Sequence, residues 1–257
     1  MGFIGGPLAY GFLKRRYPGG KGIPMSDGDP YAAAGVSKLK TLFGPGVFDE
    51  LRGKVVLDFG CGEGANAIEL AVNGCARVVG LDVQEHYLEK ARGLAAAAGV
   101  ADRCVFTSAW PEPVEVIIST DAFEHFDRPD EVLRQMRGLL QDDGYVLVQF
   151  GYPWYHPYGG HLFSVFPWAH LIFTERALIR WRSDFKTDGA RRFHEVAGGL
   201  NQMTVRRWER LIADSDFKFS SYELIPIRAA RRFHCYLTRE LLTSAIRARL
   251  VSARAIR

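Results

Sequence analysis

Two carboxylates and three glycines stand at spacings that suit a nucleoside ligand. Val55-Val56-Leu57-Asp58 runs into Phe59-Gly60-Cys61-Gly62-Glu63-Gly64. Apolar β-type residues thus lead to an acid and a glycine-rich turn, and Ala65 to Val72 reads as a helix. Gly60, Gly62 and Gly64 let backbone approach a ligand closely, while the helix start offers free N–H groups and a positive dipole end. Val78-Val79-Gly80-Leu81-Asp82 reads as a second strand ending in a carboxylate. Asp82 falls where an acid would take the two hydroxyls of a ribose. Cys61 reads as a small filler of the turn rather than a reactive thiol.

Gly60-x-Gly62-x-x-Ala65 also fits the loose dinucleotide fingerprint. Asp58 argues against that ligand, because a carboxylate two residues before the first glycine would repel a pyrophosphate. It suits a cationic group, such as the amino group of a methionine moiety. Leu57 to Gly64 resembles the first motif of the class I S-adenosylmethionine-dependent methyltransferases, and Val79-Gly80-Leu81-Asp82 the second. Ile117-Ile118-Ser119-Thr120-Asp121-Ala122-Phe123-Glu124-His125-Phe126 is similar to the segment that ends their fourth strand. Leu139 to Val148 is similar to their turn into the fifth.

The resemblance implies S-adenosyl-L-methionine as cofactor, held by Asp58, Gly60, Cys61, Gly62, Gly64 and Asp82, with Val83 against the nucleoside edge. The family usually has an acid after the third strand for the adenine amino group. This chain has Thr107-Ser108-Ala109-Trp110 instead. Ser108 and Ala109 then edge the adenine and Trp110 offers a stacking face. Ser119 ends the fourth strand, where the methyl group would point. Asp121 follows as the carboxylate best placed for methionine or substrate. His125 is a candidate general base, since a histidine titrates near neutrality and can take a proton from an attacking hydroxyl.

The elements that must position these residues alternate. The pattern predicts strand 55–59, helix 64–73, strand 77–82, helix 84–98, strand 103–107, strand 114–119, helix 128–140 and strand 144–150. Helix 204–214, strand 217–225, a partly helical 228–242 and a last strand at 245–251 follow. Such alternation gives an α/β, Rossmann-like doubly wound sheet of the class I methyltransferase type, mostly parallel with an antiparallel last strand. Ligands then bind beyond the carboxyl ends of the strands. Residues 1–52 form an N-terminal arm or cap with a helix from Tyr31 to Leu42. Residues 53–150 form the cofactor-binding core, and 203–257 its C-terminal part.

Residues 151–202 break the pattern and are too long for a link. Their many aromatics and Trp154-Tyr155-His156-Pro157-Tyr158-Gly159-Gly160-His161 predict an aromatic lid insertion over the site. His156 and His161 join His125 as candidate bases. His170, His194 and His234 read as structural. No metal is expected, since no third ligand has convincing spacing and methyl transfer from a sulfonium needs none.

The 257 residues hold 47% hydrophobic and 24% charged side chains, ordinary for a globular chain. Four cysteines without a CxxC spacing point to a reducing cytoplasm. A net charge of +4 without basic–aromatic interleaving argues against nucleic acid, and no apolar stretch is long enough to span a bilayer. The expected activity is methylation of a small-molecule acceptor, at a hydroxyl of a natural-product-like or lipophilic compound. The alternatives are an RNA methyltransferase, a non-catalytic S-adenosylmethionine-binding protein and an NAD(P)-dependent oxidoreductase.

Overall fold

The computed structural model describes residues 2–21, 35–196 and 198–253. Helix α1 (Gly6–Arg16) comes first, followed by two short helices, α2 (Lys38–Phe43) and α3 (Val47–Leu51). The alternating core then runs β1 (Val55–Phe59), α4 (Ala65–Val72), β2 (Arg77–Leu81), α5 (Glu85–Ala97), β3 (Cys104–Thr107), β4 (Val114–Thr120), α6 (Pro129–Gly138) and β5 (Leu140–Gly151). After the aromatic segment, which carries α7 (Ala169–Ile172) and α8 (Glu175–Arg182), come α9 (Val205–Ala213), β6 (Phe217–Pro226), α10 (Arg239–Leu242) and β7 (Thr243–Ser252). No helix is long and apolar enough to cross a membrane among these residues.

The seven strands lie in the order β3-β2-β1-β4-β5-β7-β6. The first five pair in parallel, and β7 is antiparallel to both β5 and β6. The fold class read from the sequence is therefore the one observed. Successive strand residues face opposite layers. Val56, Val78, Val116 and Ile118 pack with α2 to α5 through Leu39, Leu51, Leu70, Leu88 and Ala91. Leu57, Val79, Ile117, Val146 and Val148 pack with α6 and α9 through Leu133, Met136, Trp208 and Ile212. The helices bury apolar residues at helical spacing, as in α9, where Val205, Trp208 and Ile212 face inward and Thr204 caps the start by accepting from the Arg207 N–H. The strand order reverses between β1 and β4, which places a ligand crevice at their carboxyl ends.

Most boundaries fall within one or two residues of the sequence expectation, and three elements differ in ways that matter for the fold. The helix expected from Tyr31 starts at Lys38, because the Ser37 side chain caps it from the Lys40 N–H; residues 31–34 lie outside the described residues. β5 starts at Leu140 rather than 144, since Leu140 already pairs with Val114 across an irregular step. The last strand extends to 243–252 and inserts between β5 and β6.

The N-terminal residues divide between two places. Helices α2 and α3 pack on the sheet, whereas Ala9, Leu13 and Tyr17 join Trp154, Phe163, Leu178, Trp181 and Phe193 in a third apolar cluster. The Trp181 Nε1–H donates to the Tyr17 carbonyl at 3.0 Å, and the Tyr10 hydroxyl donates to Asp184. Residues 151–202 and α1 thus share one small core of their own.

Gly64 shows how tightly the start of α4 is packed. Its φ is +80°, and a Cβ there would stand 2.7 Å from the Phe106 ring and 2.8 Å from the Ala91 Cβ. A left-handed alanine and the displaced ring together should cost about 2–3 kcal/mol. Chemical denaturation of Gly64→Ala measures this directly, and a loss well below 1 kcal/mol would mean the turn adapts.

Candidate active site

The turn after β1 is tied down by its neighbours. The Gly60 and Cys61 N–H groups both donate to the Leu81 carbonyl. The Gly62 N–H donates to Asp82 Oδ2 at 2.9 Å, and Asp82 Oδ1 accepts from the Gln84 N–H. Asp82 therefore joins the turn to the start of α5, and each oxygen keeps a second lone pair for a ligand hydroxyl. A Cβ on Gly62 would meet nothing within 4 Å and its φ is +51°, so the turn presents bare backbone to the crevice. Burial pushes the Cys61 thiol well up, with Asp58 and Asp82 adding to it, which matches a filler and not a nucleophile.

Asp58 faces the α2–α5 layer beside Val56 and is 1% exposed. Neither carboxylate oxygen has a hydrogen-bond partner of normal geometry. Burial raises its pKa to about 7; the Lys38 ammonium and the Ala67 N–H pull it down and the Asp82 charge pushes it up. An unpaired buried carboxylate beside an open glycine turn lacks a cationic hydrogen-bond donor. The ammonium of a methionine moiety is such a donor, and the ribose hydroxyls of the same molecule would fall to Asp82. The residues present therefore fit S-adenosylmethionine.

Other residues expected around the cofactor are less gathered. Val83 is 89% exposed just beyond Asp82. Ser108 and Ala109 are exposed at the end of β3, where the Thr107 hydroxyl closes a small loop with the Ala109 backbone. Trp110 turns back along the sheet. It packs against the α6–α9 layer with its ring 5.9 Å from the guanidinium of Arg77, the first residue of β2. Its indole thus leans toward the amino end of the strands, away from the adenine side, because residues 108–113 are already returning to start β4. Ser119 is buried and donates to the Phe59 carbonyl at 3.0 Å, so it joins β4 to β1.

Beyond β4 the chain turns sharply. Asp121 takes a φ of +49° and its carboxylate lies 2.9 Å from the Lys38 ammonium. Asn66, in the first turn of α4, donates to the Thr120 hydroxyl at 2.9 Å. Lys38 and Asn66 were missed by the sequence reading; both come from outside the motifs, and only the fold brings them to this edge.

Glu124 is 5% exposed. Burial raises its pKa well above the ordinary range, the Asp121 charge adds to this, and Lys38 opposes it. His125 is held by residues 198–201. Its Nδ1 lies 2.8 Å from the Gly199 carbonyl, so Nδ1 carries the proton and Nε2 is the basic atom. The Asn201 amide donates to the carbonyls of Phe123 and Phe126, and the Asn201 N–H to that of Glu124.

Of the three candidate histidines, His125 and His161 stand together and His156 stands apart. His156 stacks on Tyr152 with centroids 4.4 Å apart, and its Nδ1 accepts from the Tyr158 N–H. Burial lowers its pKa to about 4. That ring shapes its own loop. His161 packs edge-on to His125 with centroids 5.1 Å apart, and its buried Nε2 has no partner. Burial, then His125 and His170, lower its pKa to about 3. His170 donates from Nε2 to the Trp154 carbonyl and accepts from Ser164, a structural role as expected. Although no metal site was expected, one ligand atom each of Glu124, His125 and His161 lie within 4.8 Å of one another. Both histidines were candidates in the sequence, but their meeting with Glu124 was not legible there, since 35 residues separate His125 from His161. A cavity of about 360 Å³ adjoins the two rings. Leu162, Phe163, Val196 and Leu200 form apolar walls, and the ion-paired Arg182 and Asp188 a polar one.

Comparison with known proteins agrees with this geometry. Residues 50–154 match the family model described as a methyltransferase domain. The ubiquinone biosynthesis O-methyltransferase of Neisseria meningitidis is 38% identical over 104 residues, 38% of this chain and 44% of the relative. Methyltransferase GfsG of Streptomyces halstedii is 31% identical over 129 residues, 47% of this chain and 45% of the relative. The matched region spans less than half the length of these curated relatives. Among solved structures, an S-adenosylmethionine-dependent methyltransferase from Mesorhizobium loti shares the fold with a TM-score of 0.52 at 19% identity, over 78% of this chain and 92% of that one. The glycine turn, its two carboxylates and the strand order, with the match over residues 50–154, make this part of the chain a methyltransferase domain with the class I S-adenosylmethionine-dependent fold.

Proposed function

We propose that the protein transfers the methyl group of S-adenosylmethionine to a hydroxyl of a small, largely apolar acceptor. The observation that carries this reading is the unpaired buried Asp58 carboxylate beside the open turn that Asp82 closes. When bound, the cofactor supplies a methyl group on a cationic sulfur, already a good electrophile. Asp58 binds the ammonium and Asp82 the ribose. Residues 151–202 act as a lid whose apolar walls favour a small acceptor over a polynucleotide, which needs an open basic face. The acceptor's proton leaves at the Glu124–His125–His161 cluster, and proximity to the methyl carbon supplies much of the rate. A small-molecule O-methyltransferase among the similar proteins supports the acceptor class. The four cysteines are free thiols, in keeping with the cytoplasmic setting expected from the sequence.

Calorimetry with S-adenosylhomocysteine tests the cofactor half. Binding is expected, with NADH giving none, and Asp82→Ala should weaken it by about 1.5–3 kcal/mol. Unchanged affinity in that variant removes Asp82 from the site. Turnover on a panel of hydroxylated aromatic compounds, read as S-adenosylhomocysteine release, tests the acceptor half. Methylation of RNA instead, with affinity that falls steeply with salt, would replace it.

A further inference from the structure

We propose that Glu124, His125 and His161 form a divalent transition-metal site at the floor of the acceptor cavity, and that this metal binds the acceptor through two adjacent oxygens. The proposal rests on the methyltransferase reading for its purpose, but not for its geometry.

Three observations carry it. The ligand atoms lie within 4.8 Å of one another. Metal–ligand distances near 2.0–2.2 Å would require them to draw together by about an ångström, within reach of side-chain rotation. Glu124 Oε2 and His161 Nε2 are buried with no hydrogen-bond partner, and a shared cation would satisfy both. His125 is already arranged as ligating histidines are. Its Nδ1–H is given to the Gly199 carbonyl, which fixes the ring and leaves the Nε2 lone pair directed elsewhere. The Asn201 amide clamps the carbonyls on either side of this pair, so Glu124 and His125 sit on a rigid turn.

Two histidines and one carboxylate suit Zn²⁺, Mn²⁺ or Fe²⁺ better than Mg²⁺, which prefers oxygen ligands. Three protein ligands leave coordination positions open. The adjoining cavity of about 360 Å³ can hold one aromatic ring. An acceptor with vicinal hydroxyls would fill two open positions. Ligation lowers the pKa of the hydroxyl, and its proton passes to solvent. The oxygen then bonds to the methyl carbon as the sulfur–methyl bond breaks, its electron pair staying on sulfur as the neutral thioether. No oxidant or reductant is needed.

The test uses the full chain after dialysis against a chelator. Zn²⁺ titration should show one equivalent bound, and Mg²⁺ binding should be far weaker. Glu124→Gln and His161→Ala should each lose roughly tenfold or more in Zn²⁺ affinity, while His194→Ala, outside the cluster, keeps it. 4-Nitrocatechol should change its visible spectrum only with the Zn²⁺-loaded wild-type protein. This readout stands on the wild type even if a cluster variant fails to fold. Absence of stoichiometric Zn²⁺ binding, equal affinity in folded cluster variants, or an unchanged spectrum overturns the proposal. S-adenosylhomocysteine binding measured alongside keeps the two readings apart, because its persistence without Zn²⁺ binding refutes the metal and spares the methyltransferase.

Discussion

Asp58→Asn is expected to raise the melting temperature of the ligand-free protein at pH 8 and to weaken S-adenosylhomocysteine binding by about 30-fold or more. Both effects come from one unpaired carboxylate. The unfolded Asp58 ionises near 3.8, whereas the folded group keeps its proton up to about 7. Between these values the folded state binds more protons, so the group's contribution is complete below 3.8 and is lost as pH rises through 7. The gap is worth on the order of 4 kcal/mol, part of which an unpaired asparagine amide gives back. A gain of several degrees at pH 8 should remain, and it should shrink toward pH 4. Binding moves the other way, since removing one partner of a buried charge pair costs about 2 kcal/mol or more. Calorimetric melts at the two pH values, with calorimetric titration at pH 8, check both. A variant that melts lower at pH 8 would mean that Lys38 already neutralises Asp58 in the free protein.

Asp58 illustrates what was legible in the chain. Its position relative to Gly60, Gly62 and Asp82 is a local spacing, and the strand periods around it fix the sheet. The same alternation gave every core strand and helix to within a few residues. Contacts assembled from distant segments were not legible. Lys38 reaches Asp121 from a helix whose start depends on one capping serine. His161 meets His125 across 35 residues that include several irregular turns. Trp110 misled because an aromatic after the third strand can face either way, and only the packing against Arg77 and the α6–α9 layer decides.

His125→Ala should lower turnover on the true acceptor by about 10²–10⁴-fold, with S-adenosylhomocysteine affinity nearly intact. His161→Ala should behave alike, because both rings face the cavity. His156→Ala should keep much more of its turnover, since its Nδ1 is already engaged by the Tyr158 N–H. Wild-type protein treated with a chelator should resemble the His125 variant, and added Zn²⁺ should restore the wild type alone. Full activity after chelation, with loss in the variant, would assign the rings to proton transfer without a metal. If all three single variants keep near wild-type turnover, neither role holds. Positioning of an already nucleophilic acceptor would then carry the rate.

The small core shared by α1 and residues 151–202 sets an order of events during synthesis. Trp181, whose indole N–H donates to the Tyr17 carbonyl, leaves the ribosome 164 residues after it. At about 5–20 residues per second, α1 waits on the order of ten to thirty seconds for its partner. The central sheet waits as well, for β7 comes last and lies between β5 and β6. Any nascent chain halted before Trp181 therefore leaves Ala9, Leu13 and Tyr17 without the partners that bury them, next to Lys14, Arg15 and Arg16. The exposure ends once the aromatic segment closes over the helix.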